Sequence, residues 1–377
     1  MVSSTIPHVP GERVPAEFTR TLRRQLSSLL GRHNDNFPGS QPISFAQKHL
    51  QQLQQEDYFV CEKSDGIRCL MFLTQQHGRE ITYFVDRKND FYWQQGMHFP
   101  HHEDSTFQRF HIDTVADGEL VLDDAGTARE RMRFLVFDSL LVDGKVLLDR
   151  TLDKRLGYFR ELVFKPYEEL LRKFPEEQGH MPFTLSFKQM EYAYALDKVF
   201  SQVIPRLHHG NDGLIFTART SPYTCGTDTK ILKWKPAELN SVDFRLYLEF
   251  PMDDTLDDGD AAEMAALDYD AKPVFKLGIW LGDTRYKQFD HAYVPDEQWH
   301  DFQTLQEGID ESVVECCMDQ EKRWRIERFR TDKHNGNHHS VVESILESIR
   351  DAVTDEQLLG TVPAIKAAWK ERDTTKS

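Results

Sequence analysis

The sequence predicts an α+β protein: an antiparallel-sheet domain, a smaller β-barrel domain and a C-terminal helix. Two patterns and the length carry that expectation. Between Tyr58 and Pro236, short apolar runs at 67–73, 81–85, 118–122, 133–137, 183–187, 213–217 and 231–234 alternate with turns and occasional helices. Val242, Phe244, Leu246, Leu248 and Phe250 then alternate with polar residues, as on a strand with one buried face. With 377 residues, the chain is long enough for two cores.

The elements follow in order. Phe18 to Leu30 is amphipathic and predicts a helix, and Ser44 to Gln55 predicts a second, with Phe45, His49, Leu50 and Leu53 on one face. The mixed sheet domain then occupies residues 1–240. A barrel over 241–339 takes up Val274–Leu281 and Tyr286–Phe289 as further strands. The acidic stretch Asp253 to Asp260 between them reads as an exposed loop without a ligand. Ser340 and Glu343 have capping-box spacing, and Val342, Ile345, Leu346 and Ile349 follow at helical spacing. A helix within 340–377 is therefore expected to pack back on the first domain. There is no internal repeat.

Composition narrows the function classes. The formal charge of −16 argues against a broad non-specific nucleic-acid groove, though not against a local basic cluster that grips a few phosphates. Five cysteines without a C-x-x-C pair suggest reduced thiols rather than a zinc site or a disulfide framework. Cys317 and Arg323 match a cysteine-phosphatase spacing, but the residues between them contain no glycine to cradle phosphate. No run approaches the length of a membrane span, so no membrane association is expected. The histidine pairs 101–102, 208–209 and 338–339 have no zinc-like spacing and are expected in surface or loop roles.

The chemistry begins at Glu62-Lys63-Ser64-Asp65-Gly66-Ile67-Arg68, which reads as strand, tight turn, strand, with Lys63 at the lip of the turn. A neutral lysine amine is a nucleophile. Four later runs supply what nucleotidyl transfer through that lysine needs. Lys233 and Lys235, in Ile231–Pro236, alternate on one strand face; they can neutralise an α-phosphate and lower the pKa of Lys63. Glu119, in Asp117–Val121, and Asp212, in Asn211–Phe216, can hold Mg2+ or position a ribose. Phe137, in Phe134–Leu140, and Ile215 can sandwich a purine.

In this order and spacing the chain resembles the covalent nucleotidyltransferase superfamily of mRNA capping guanylyltransferases and ATP-dependent polynucleotide ligases. Trp324 to Lys333, followed by Asn337-His338, is similar to the last motif of capping enzymes and less like the ligase counterpart. The resemblance implies an OB-fold for the barrel, Lys63 as the guanylated residue, and ribose contacts from Arg68 and Glu119. It further implies Asp212 as a ligand of Mg2+ (or Mn2+), α-phosphate contacts from Lys233 and Lys235, and contacts to the leaving pyrophosphate from Arg330 and Lys333.

GTP and the 5′-diphosphate end of RNA are the implied substrates, and the GpppN cap is the product. No cysteine-phosphatase-type segment precedes Lys63, which leads to the expectation of a fungal-type stand-alone enzyme. Such an enzyme works in the nucleus with a separate RNA triphosphatase subunit and the phosphorylated RNA polymerase II C-terminal tail. An ATP-dependent polynucleotide ligase is the nearest alternative. A non-catalytic adaptor for RNA polymerase, from a different class, has no need of Lys63 together with Lys233, Lys235 and Arg330.

Overall fold

A computed structural model of the chain describes residues 7–252, 267–305 and 308–374. The chain forms two compact units, one of Met1–Trp234 with Asp355–Ser377 and one of Lys235–Thr354. The acidic stretch Asp253 to Asp260 lies outside the described residues.

The first unit carries strands β1 (Glu12–Arg13), β2 (Ser40–Ser44), β3 (Tyr58–Ser64), β4 (Ile67–Gln76), β5 (Arg79–Asp86), β6 (Phe91–Gln94), β7 (Thr114–Asp123), β8 (Arg131–Val142), β9 (Lys145–Val146), β10 (Thr184–Phe187), β11 (Glu191–Tyr192), β12 (Asn211–Ala218) and β13 (Gly226–Trp234). They make two sheets. The larger runs β1-β6-β5-β4-β7-β8-β10, with β9 on β8, and the smaller runs β11-β3-β12-β13-β2. Pairing among the described strands of this unit is antiparallel apart from β10 on β8 and β2 on β13.

The uninterrupted apolar run on β4 reflects burial of both faces of the larger sheet. Cys69, Met71 and Leu73 enter one core with Phe84, Phe134, Phe159 and Tyr167. Leu70 and Phe72 enter another with Val85, Val115 and Leu26 of the helix Ala16–Leu29. The helix expected over Ser44 to Gln55 runs from Gln47 to Gln55, because Ser40–Ser44 is drawn off as the edge strand β2. His49 Nδ1 accepts the Ala46 amide at 2.8 Å and caps that helix in place of a serine or aspartate.

The second unit carries β14 (Ser241–Glu249), β15 (Val274–Gly282), β16 (Arg285–Ala292), β17 (Val313–Met318) and β18 (Trp324–Phe329), closed in the order β14-β15-β16-β18-β17. A five-stranded closed barrel with one parallel pair, β16 with β18, is the arrangement of an OB-fold. Val242, Phe244 and Leu246 point into it, as their alternation requires.

The C-terminal region differs from the expectation of one helix returning to the first domain. The helix His339–Arg350 packs on the barrel, with Val342 fully buried in that core. The expected capping box at Ser340 and Glu343 does not form. The helix begins two residues earlier, with His338 at its N-cap position and Ser340 Oγ 3.0 Å from His338 Nδ1. A second helix, Asp355–Thr374, belongs to the first unit. Arg372 there donates to Asp57 Oδ1 at 2.8 and 3.0 Å, and Trp369 packs against Tyr194.

Candidate active site

The Ser-Asp-Gly turn after Lys63 does not close a hairpin. β3 lies in the smaller sheet and β4 in the larger, so the turn carries the chain from one sheet to the other, with Lys63 at the crossing. The crossing needs glycine at 66. A Cβ there would lie 2.2 Å from the Leu120 carbonyl oxygen of β7, well inside van der Waals contact. Gly118 is equally constrained, since a Cβ would meet the Phe134 ring at 2.5 Å.

Registry then lines up the smaller sheet. Cys61, Ile215 and Lys233 lie opposite one another across β3, β12 and β13, and Lys63 shares their face two residues on from Cys61. A bulge between Asn211 and Leu214 breaks the ladder beside Lys63. From it Asp212 extends Oδ1 to within 2.6 Å of Lys63 Nζ. A carboxylate thus faces Lys63.

On the larger sheet Arg68 pairs with Glu119, and Glu119 with Leu135. Phe137, two residues beyond Leu135, is the unpaired residue of a bulge opposite Asp117 and Gly118. Burial raises the pKa of Glu119, and the neighbouring cations Lys188, Arg68 and Lys63 only partly offset it. Every expected site residue (Lys63, Arg68, Glu119, Phe137, Asp212, Ile215, Lys233, Lys235, Arg330, Lys333) is half-buried, as side chains lining a site require.

Arg68 joins the two sheets. It grips Asp117 through two hydrogen bonds of 3.0 and 2.6 Å, also donates to the Ser40 carbonyl of β2, and lies 5.3 Å over the Phe137 ring. Tyr223 completes this staple, donating to Asp117 at 2.6 Å and accepting the Ser40 amide at 3.1 Å.

A second staple lies beside Lys63. Lys188 donates to Glu62 at 3.1 Å and to Ser64 Oγ, and His209 lies between Glu62 at 3.4 Å and Asp123 at 3.3 Å. Burial opposes charge on Glu62, Lys188 and His209, but their mutual pairing wins. Glu62 is held below the usual carboxylate range, and Lys188 and His209 are raised. His209 was expected in a surface or loop role. It is buried because these partners take up its polar atoms.

Lys235, Arg330 and Lys333 belong to the second unit. Arg330 donates to Asp332 twice at 2.9 Å and to Asp243 at 3.1 Å, and Lys333 also donates to Asp243. Both cations rest on carboxylates of their own barrel.

The description "mRNA capping enzyme, catalytic domain" matches residues 5–237, and "mRNA capping enzyme, C-terminal domain" matches residues 239–359. The chain belongs to the mRNA capping enzyme family. It is 46% identical to the mRNA-capping enzyme subunit alpha of Neurospora crassa over 96% of this chain and 93% of the relative. It is 45% identical to that of Schizosaccharomyces pombe over 97% and 89%, and 36% identical to that of Saccharomyces cerevisiae over 99% and 89%.

For this capping enzyme the motifs pointed to cationic and acidic candidates and not to the groups that hold them. Glu62 and Ser64 flank Lys63, and Asp117 opens the Asp-Gly-Glu run, so position alone marked them. Lys188 and His209 carry no local signal, since they meet Ser64 across 124 and 145 residues of sequence.

Proposed function

We propose that this guanylyltransferase transfers GMP from GTP, through Lys63, to the diphosphate 5′ end of RNA. Lys63 Nζ attacks the α-phosphorus. The α–β phosphoanhydride bond breaks, pyrophosphate leaves, and a lysyl–GMP phosphoramidate forms. A terminal oxygen of the RNA diphosphate then attacks the same phosphorus. The N–P bond breaks, the amine recovers its proton, and the product is GpppN.

The observation that carries this reading is Lys63 Nζ 2.6 Å from Asp212, on a sheet face shared with Ile215 and Lys233. While Asp212 holds the ammonium form the lysine cannot attack, so the proton must leave before the first step. Asp212 and Glu119 offer the carboxylate oxygens that hard cations prefer, and Glu119 lies close enough to Lys63 to feel its charge. They would hold Mg2+ (or Mn2+), which when bound supplies positive charge at the α-phosphate. Lys233 and Lys235 neutralise that phosphate, Phe137 and Ile215 flank the base, and Arg68 and Glu119 orient the ribose. Arg330 and Lys333 exchange their carboxylates for the β- and γ-phosphates.

The names of the relatives, each a subunit alpha, support a partner subunit. An RNA triphosphatase would supply the diphosphate end that this reaction consumes. Docking on the phosphorylated polymerase II tail and a nuclear location belong to the same reading.

Incubation with α-labelled GTP or ATP, followed by denaturing electrophoresis, tests it. GTP should label the protein, and Lys63→Arg should abolish the label because a guanidinium stays protonated. A normal adduct on Lys63→Arg, or labelling by ATP alone, would overturn it.

A further inference from the structure

We propose that His101, His102, His111 and Asp143 form a structural site for one zinc-class divalent ion, apart from the guanylyl-transfer site. The three imidazoles and the carboxylate each present one ligand atom, all within 4.8 Å of one another. His101 and His111 close the two ends of a loop. The His101 amide donates to the Arg109 carbonyl at 2.9 Å, and the His111 amide donates to the Phe99 carbonyl at 3.0 Å. Asp143 comes from a different place, the turn between β8 and β9, where it has φ 47° and Gly144 φ 73°. That turn is fixed from below, as the Asp143 amide donates to Thr114 Oγ1 at 2.9 Å.

His111 decides the chemistry. It is fully buried, and its Nε2 lies 2.9 Å from the Leu162 carbonyl, which can only accept, so Nε2 carries the proton. Nδ1 faces both Asp143 oxygens, at 2.8 and 3.0 Å. Two electron-rich atoms at that distance need a cation between them, either a proton or a metal ion. A proton on His111 satisfies one imidazole.

The other two imidazoles converge on the same carboxylate. His101 Nε2 lies 3.5 Å and His102 Nδ1 4.0 Å from the same carboxylate, and the His101 ring centroid is 4.4 and 5.1 Å from those of His102 and His111. One metal ion satisfies all four groups.

Three nitrogens and one carboxylate oxygen suit zinc or copper rather than magnesium or calcium. Tetrahedral bonds of ~2.0–2.2 Å place ligand atoms about 3.4 Å apart, so a cluster within 4.8 Å closes by at most about 1.4 Å. His102 and Asp143 are exposed. The Leu162 carbonyl holds His111 as outer partners of metal-bound histidines do. His101 Nδ1 accepts the Glu103 amide at 3.3 Å, which leaves Nε2 as the ring atom turned to the cluster. Four protein ligands leave no open position, so the ion staples the β6–β7 connection to the β8–β9 turn and takes no part in transfer.

The test uses the untagged full chain purified from zinc-supplemented medium and dialysed, with metal measured by elemental analysis. The expected content is about one zinc per chain, falling below about a tenth in His102→Ala, an exposed change that leaves the fold intact. Co2+ loaded into metal-free protein should give the intense visible bands of a tetrahedral site, absent in His101→Ala. Wild-type protein that neither holds zinc nor takes up equimolar Zn2+ or Co2+ overturns the proposal, as does equal zinc in His102→Ala.

Discussion

Lys63 acts among charges that the protein fixes before any substrate arrives. Lys188 donates to residues on both sides of it, Glu62 and Ser64. Lys188→Met should cost about 3–5 kcal/mol, because it leaves the Glu62 carboxylate buried without its cation. In urea denaturation the double variant with Glu62→Gln should recover much of that loss. Lys233→Ala should slow adduct formation by ~10²-fold or more through lost charge stabilisation, read in single-turnover labelling. His209 gives the same cluster a pH signature. Burial lowers its pKa, but the bonds to Asp123 and Glu62 outweigh burial and the net shift is upward. Its contribution to stability is therefore complete below the ordinary value near 6.5 and fades as pH climbs through the raised one. The stability gap between wild type and His209→Gln should be widest at about pH 6 and shrink on the alkaline side, in denaturation curves across a pH series.

At the scale of elements, the link between β3 and β4 sets Lys63, the proposed nucleophile, where the chain crosses from one sheet to the other. Gly66→Ala should separate β7 from the crossing, lower stability by about 1–3 kcal/mol and remove most of the GTP label. A thermal melt read beside labelling separates the two effects. Alternation and apolar runs predicted most strands, since burial of one or both faces of a sheet leaves a direct trace in sequence. They predicted the barrel for the same reason at Val242, Phe244 and Leu246. Sheet membership left no such trace. Tyr58–Val60 and Ile67–Leu73 look like hairpin arms, and only the close approach of Leu120 to Gly66 sends them apart. Asp138 shows the limit at the site. It ends an aromatic run that resembles a catalytic motif, yet it is buried against Arg155 through bonds of 2.7 and 2.8 Å. That partner comes from the helix Leu152–Phe159, and periodicity cannot reveal it.

For the whole molecule, the proposed contacts divide between the units, with Lys63 on one and Arg330 and Lys333 on the other. Pyrophosphate leaves in the first step and is absent from the second. Arg330→Ala and Lys333→Ala should therefore block adduct formation from GTP and spare GMP transfer from isolated adduct to diphosphate-ended RNA. A single-turnover chase distinguishes the half-reactions, and equal loss in both would assign these residues to RNA or to the fold. The first unit is discontinuous, because the barrel is inserted before the helix Asp355–Thr374. On the ribosome, the barrel and its packed helix His339–Arg350 have all their residues in hand before that last helix emerges. A chain ending at Thr354 would lack Trp369 and Arg372, and with them the contacts to Tyr194 and Asp57 that tie the last helix to the first unit.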